Sequence, residues 1–268
     1  MFTPDPPLYF KCPIDVAVSI SQKGDKQRRR LSPAGEQSVK IMIGIPSRRG
    51  AISSETVASV MQMVQVISLT GGTHQFACAA HADVTIARNL LAAHFLAGDC
   101  TRFVGIDDDV SVSANAFAAM LSLNSSFVGA VLPQRTINLE LLEQAILSGH
   151  RGREARAIAA PPVSDGSGAY PAYGSVQQVE RIGTGFYILD RSVLTGIIDQ
   201  GLAVRELVSQ ANATVIAAAY GFFNNISDEN GYLSEDYSFC KRVTDAGYSV
   251  NAYYGPGIGH TGSMTFTS

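Results

Sequence analysis

Asp107, Asp108 and Asp109 stand side by side directly after the apolar run 103–106 (FVGI). Three adjacent carboxylates repel one another and are tolerated only where water or a cation offsets their charge. A short apolar run bounded by polar residues reads as a buried strand. Acids at the C-terminal end of such a strand lie where open α/β sheets bind ligands, beyond the strand ends. An all-oxygen donor set suits a hard cation such as Mg²⁺ or Mn²⁺. On an extended strand, side chains two apart point the same way, so Asp107 and Asp109 are expected to share one ion while Asp108 points elsewhere. The plain alternative, a polar strand end or a helix cap, suits one Asp better than three.

Two further groups carry chemistry. Glu235 and Asp236 follow Ser234 at the start of an apolar-patterned segment. Acids in a first helical turn are favoured by the helix dipole and need no function of their own. His260 stands between Gly259 and Thr261-Gly262. A lone His is ordinarily structural, but glycines beside it allow a backbone to approach a ligand closely.

The elements that must position these groups follow from periodicity. Residues 40–46 (KIMIGIP) read as a first strand stopped by Pro46. Ser53 is placed to cap a helix carrying Val57, Val60, Met61, Val64 and Ile67. A strand over 75–79 and a helix over 84–96 follow, the helix capped by Asp83 and closed by Gly98. That helix is apolar almost all round, so Arg88 within it requires a partner. Ser113 opens a helix with Phe117, Met120 and Leu121, and 127–132 reads as another buried strand. Strand and helix alternate from 40 to 133, which predicts an α/β domain with a mostly parallel sheet and helices on both faces. Further on, a helix is expected over 139–147, a loop over 161–174, a strand over 179–189, a helix from Ser192, a helix capped by Ser234 and ending at Gly247, and a strand over 250–254. Residues 209–219 fit either helix or strand.

The bulk properties set limits. The chain has 268 residues, 46% hydrophobic and 16% charged, as a packed globular domain requires. A net charge of −3 argues against bulk electrostatic binding to nucleic acid. Cys12, Cys78, Cys100 and Cys240 form no CxxC, which points to reduced cysteines of a cytoplasmic protein. No apolar run is long enough to span a bilayer, and the N-terminus lacks a signal pattern. Residues 1–38, with the basic run 23–30 (KGDKQRRR), read as a solvated arm preceding one domain over 39–268.

Taken in order, IGIPS (43–47), IARN (86–89), FVGIDDD (103–109), GTGFYIL (183–189), SEDYSFC (234–240) and GHTG (259–262) resemble the nucleotide-sugar-dependent glycosyltransferases of the GT-A fold. There is some similarity to Anp1-type mannosyltransferases and to glycosyltransferase-like proteins of phages and bacteria. The resemblance implies a GT-A-like domain with a nucleotide-binding part at about 40–133 and an acceptor part at about 134–268. It implies a UDP- or GDP-sugar donor beside Pro46, Ser47, Arg48, Arg88, Asp107 and Asp108. Gly183 and Gly185 would line the sugar or acceptor side. Asp107, Asp109 and His260 would hold Mn²⁺ or Mg²⁺, and Asp236, with Glu235 as the alternative, would be the general base. The acceptor, whether glycan, lipid-linked sugar, protein or nucleic-acid base, is not encoded legibly, nor is the oligomeric state. Two rivals remain at this level. One is a haloacid-dehalogenase-like phosphatase with Asp107 as nucleophile, and the other is a sugar-nucleotide- or glycan-binding module without activity.

Overall fold

The computed structural model describes residues 39–133, 135, 137–159, 174–206, 212–229 and 231–262. The N-terminal arm and most of the 161–174 loop lie outside the described residues. The first half alternates strand and helix as the periodicity demands. It runs β1 (Lys40–Ser47), α1 (Ser54–Leu69), β2 (Thr73–Ala80), α2 (Val84–Ala97), β3 (Arg102–Ile106), β4 (Val110–Val112), α3 (Ala114–Leu121) and β5 (Phe127–Ala130). The helix starts are chemically capped. Ser53 accepts from the Thr56 amide, Asp83 from Thr85 and Ser113 from Ala116, each replacing a missing intrahelical bond.

The second half holds α4 (Leu139–Leu147), α5 (Gly152–Ala159), β6 (Val176–Val179), β7 (Phe186–Asp190), α6 (Arg191–Asp199), α7 (Ala213–Ala217), β8 (Ile226–Asp228), β9 (Gly231–Leu233), α8 (Glu235–Asp245), β10 (Val250–Tyr253) and β11 (Ile258–His260). Seven strands form one sheet in the order β2-β1-β3-β7-β5-β10-β6. Five point the same way, while β7 and β6 run against their neighbours. The domain is a single α/β unit with a GT-A-like, mostly parallel sheet.

Both faces of the sheet are covered. On one, Met63 and Ile67 of α1 and Phe117 and Met120 of α3 pack on Ile41, Ile43, Val104 and Ile188. On the other, Leu91 and Phe95 of α2, Val193 and Ile197 of α6 and Phe239 and Val243 of α8 pack on Met42, Phe103, Tyr187 and Leu189. Large rings on the second face need bare backbone beneath them. A Cβ on Gly44 would meet the Phe103 ring, and one on Gly105 would meet the Tyr187 ring.

Four local expectations change. Pro46 does not stop β1, which runs on to Ser47; β3 pairs with β1 only as far as Gly44 opposite Gly105. Beyond that point β1 is laddered on one side only, where a residue lacking N–H is tolerated. The expected strand over 179–189 divides into β6, at the sheet edge against β10, and β7, central between β3 and β5. Residues 180–185 cross between them, with Gly183 and Gly185 in the crossing. The helix expected from Ser192 begins at Arg191 with Asp190 as its cap position. Ser234 stands at the cap position of α8, but its side chain makes no capping bond.

Candidate active site

The C-terminal ends of β1, β3, β5 and β10 share one edge of the sheet, and the N-terminal end of reversed β7 lies on the same edge. Phe186 pairs with Ile106, so residues 183–185 are delivered to the acid-tipped end of β3. The Asp107 amide donates to the Gly185 carbonyl at 2.8 Å. A Cβ on Gly185 would collide with Leu132 and come within 3.3 Å of Asp107 Oδ2. Glycine there is a requirement of close approach.

The three aspartates take three different directions. Strand β3 ends at Ile106 and the chain turns, with the Val110 amide donating to the Asp107 carbonyl at 3.2 Å. Strand alternation therefore does not govern Asp107 and Asp109, and the premise that extended backbone aims both at one ion is corrected. Asp107 turns to Arg88, whose Nη2 lies 3.1 Å from each of its carboxylate oxygens. Asp108 accepts from the Ser47 hydroxyl at 2.6 Å, and its carbonyl accepts from the Ser53 amide, tying β1 and α1 to this turn. Asp109 Oδ1 faces His260 Nε2 at 3.3 Å, and its Oδ2 accepts from Arg135 at 2.7 Å.

His260 arrives through a short antiparallel pair. Strand β11 lies against β4, with His260 opposite Val110, and the Thr261 amide donates to the Asp109 carbonyl at 2.7 Å. Its Nδ1 is 3.0 Å from the Pro133 carbonyl. A carbonyl only accepts, so Nδ1 carries the hydrogen and Nε2 is the nitrogen presented to Asp109.

Arg88 joins the far acids to this cluster. Its side chain is 4% exposed, and Nη1 donates to Asp236 at 2.8 Å and to Glu235 at 3.2 Å. Burial works against its charge, but Asp107, Asp236 and Glu235 outweigh burial and hold it firmly cationic. Its buried Nε has no hydrogen-bond partner among the described residues. Burial, with Asp236 and Asp109 adding repulsion, pushes the Asp107 carboxyl up to about 6 against the pull of Arg88. Burial also disfavours the Asp109 carboxylate, yet the bonds from His260 and Arg135 hold its carboxyl below the usual range. For His260, burial is outweighed by Asp109 and the Pro133 carbonyl, so the imidazole is held above its usual value.

Asp236 Oδ1 takes both the Arg88 bond and a short one from the Thr184 hydroxyl. Its Oδ2 is turned toward Gly183, where an added Cβ would come within 3.7 Å. Glu235 instead lines a 530 Å³ cavity with Arg48, His81, Asp83, Thr85 and Asn225. Of the residues expected near a nucleotide, Arg48 lines that cavity, while Pro46 and Ser47 are buried and Ser47 supports Asp108. Arg88, Asp107, Asp109, Glu235, Asp236, Gly183, Gly185 and His260 all fall in one neighbourhood. Arg135 was not anticipated, while Thr184 falls within the stretch 183–186 expected to line the sugar or acceptor side.

The donor set can be tested for a cation. Among the described residues no three His, Cys, Asp or Glu side chains converge as a metal cage. Both Asp107 oxygens are engaged by Arg88, which fits neither a cation ligand nor an unencumbered phosphatase nucleophile. Asp109 and His260 do fit: a cation replacing the proton between Asp109 Oδ1 and His260 Nε2 would take both as donors, with the second imidazole nitrogen anchored on a carbonyl.

No family model matches the chain, and no curated protein matches it. Among solved structures it is similar to A197 from STIV, at 12% identity and a TM-score of 0.37, over 80% of this chain and 81% of that one. It is also similar to a glycosyltransferase involved in glycosylation of the major capsid of PBCV-1, at 13% identity and a TM-score of 0.28, over 62% and 65% of the two chains. At such scores the likeness carries no weight for activity. Among the described residues no helix is long and apolar enough to cross a membrane.

Proposed function

We propose that this protein is a cation-dependent glycosyltransferase that moves a sugar from a UDP- or GDP-sugar to an acceptor hydroxyl. The observation that carries the reading is that one buried arginine, Arg88, joins Asp107, just past β3, to Glu235 and Asp236 in the first turn of α8, more than a hundred residues on, while His260 meets Asp109 beside them. A structural role for Glu235 and Asp236 as helix-dipole partners requires no such meeting.

Asp109 and His260 would hold Mn²⁺ or Mg²⁺, since hard cations at phosphate-handling sites are commonly held by one or two carboxylates together with substrate phosphates. The bound cation supplies Lewis-acid stabilisation of the charge on the departing diphosphate. Arg48 and the cavity beside α2 accommodate the nucleotide. Asp107, fixed by Arg88 and the Gly185 carbonyl, presents its carboxylate to the ribose or sugar hydroxyls. Asp236 acts as general base. With Oδ1 occupied by Thr184 and Arg88, Oδ2 is the oxygen that takes the acceptor's proton. Direct displacement assisted in this way inverts the anomeric centre. Glu235, on the cavity wall, is the alternative base. The segment 134–180, whose sequence pattern is the least regular of the chain, supplies acceptor specificity.

The test is incubation with Mn²⁺ and a panel of UDP- and GDP-sugars, following slow donor hydrolysis. The expected result is release of nucleoside diphosphate from one donor, lost with Asp236→Asn. No turnover of any donor, together with release of phosphate from a generic phosphomonoester, overturns the reading.

A further inference from the structure

Arg135 is the feature the proposed chemistry leaves unused. It lies just past β5, its side chain is 60% exposed, and it reaches back to donate to Asp109 Oδ2 at 2.7 Å. The approach is built into the fold. The Pro133 carbonyl holds His260 Nδ1, and a Cβ on Gly262 would strike the Arg135 carbonyl. Pro133, Arg135, Asp109 and the segment 260–262 are therefore laced together at one point.

Charge explains why an arginine is drawn there. Around the site stand Asp107, Asp108, Asp109, Glu235 and Asp236, five carboxylates against the guanidinium groups of Arg48, Arg88 and Arg135 and one imidazole. Arg88 is buried and committed to three of the five. Arg48 is exposed at the cavity beside Glu235, whereas Arg135 is the exposed cation at Asp109, where it holds an oxygen of the carboxylate that, with His260, fits a divalent cation. A guanidinium and a divalent ion on one carboxylate repel each other. A guanidinium displaced from Asp109 stays beside the ion, where the departing diphosphate must also lie. Its planar fork is the side chain best matched to phosphate oxygens.

Resting on the glycosyltransferase reading above, we propose that Arg135 and the divalent cation compete for Asp109, and that Arg135 then binds the diphosphate of the donor. The residue thus exchanges a carboxylate partner for a phosphate partner as the substrate complex forms.

The experiment uses the full chain, with Mn²⁺ binding read from the electron paramagnetic resonance signal of free Mn²⁺. UDP and GDP binding at saturating Mn²⁺ is read by calorimetry. Wild type is compared with Arg135→Ala and Arg135→Lys, with Asp109→Asn as the control. Because the Arg135–Asp109 pair is partly exposed, its removal should tighten Mn²⁺ binding by about twofold to fivefold. The same variant should bind the nucleoside diphosphate about tenfold more weakly, the loss of a charge-assisted contact. Arg135→Lys should fall between on both axes. A residue that merely supports the fold would move both affinities the same way. An unchanged or weaker Mn²⁺ affinity in Arg135→Ala, or an unchanged nucleotide affinity, overturns the proposal while leaving the glycosyltransferase reading intact, provided wild type shows Mn²⁺ binding lost in Asp109→Asn. Absence of Asp109-dependent Mn²⁺ binding in both wild type and Arg135→Ala overturns the cation reading and this proposal together.

Discussion

Arg88 offers the sharpest test of how the site is held. Replacing it with Met keeps an apolar stem of similar reach but removes the guanidinium. Four contacts vanish, at 2.8, 3.1, 3.1 and 3.2 Å, and Asp107, Asp236 and Glu235 lose their shared cation. Removing one partner of a buried ion pair costs about 3–5 kcal/mol, mainly because the opposite charge is stranded. Here each carboxylate keeps about a quarter of its side-chain exposure, so water partly rehydrates it and the cost falls near the lower limit, about 3 kcal/mol. Arg88→Lys keeps the charge but cannot bridge three acids, and should lose about 1–2 kcal/mol. Urea unfolding at pH 7 measures both, with the slope unchanged and the midpoint lowered. The decisive arm is the double variant. If stranded charge is the cause, Asp236→Asn in the Arg88→Met background should restore more than about 1 kcal/mol relative to additivity. A loss below about 1 kcal/mol for Arg88→Met, or strict additivity with Asp236→Asn, refutes the electrostatic account.

Three further outcomes follow from the same geometry. Asp236→Asn should lower turnover by about a hundredfold or more while nucleotide binding at saturating Mn²⁺ is retained, because a general base acts on the acceptor proton and not on the donor; steady-state kinetics with calorimetry separates the two. Gly105→Ala should cost about 1–3 kcal/mol by urea unfolding, since the Tyr187 ring over that position is hemmed by Phe103, Phe127, Phe223 and Phe239 and cannot retreat. Arg191→Ala should lower thermal stability by about 1–2 kcal/mol, because its guanidinium caps the C-terminus of α2 through the Phe95, Leu96 and Gly98 carbonyls and also binds that of Cys100.

What was legible in the sequence was what local chemistry governs. Ser53, Asp83 and Ser113 each cap the helix their position announces, because a side-chain acceptor three residues ahead of an apolar stripe has little else to do. The buried strands showed as apolar runs, and the demand that Arg88 find a partner was met by three. Pairing direction was not legible, since a strand buried on both faces reads the same whichever way it runs; reversed β7 looks like any parallel strand. Strands β4 and β11 are three residues each, too short for any period, yet their pairing is what brings His260 to Asp109. Arg135 sits in irregular chain where no pattern flags it. The geometry of the three aspartates was misjudged for one reason: β3 ends at Ile106, one residue before the acids begin.

The reversed strand has a consequence for the chemistry. In an all-parallel sheet, every strand beside β3 would send its C-terminal end to the same edge, and residues 183–185 would lie at the opposite edge. Because β7 runs backward, its N-terminal approach passes directly over the tip of β3. That passage presses Gly185 on Asp107, sets Thr184 on Asp236 and leaves Gly183 against the remaining oxygen of Asp236. One crossing segment thus touches the acid assigned to the donor and the acid assigned to the acceptor, while Arg88 links the same two from below. The spacing between them is set by a strand register and a buried guanidinium, not by a mobile loop. A side chain introduced at Gly183 or Gly185 should therefore disturb both acids together.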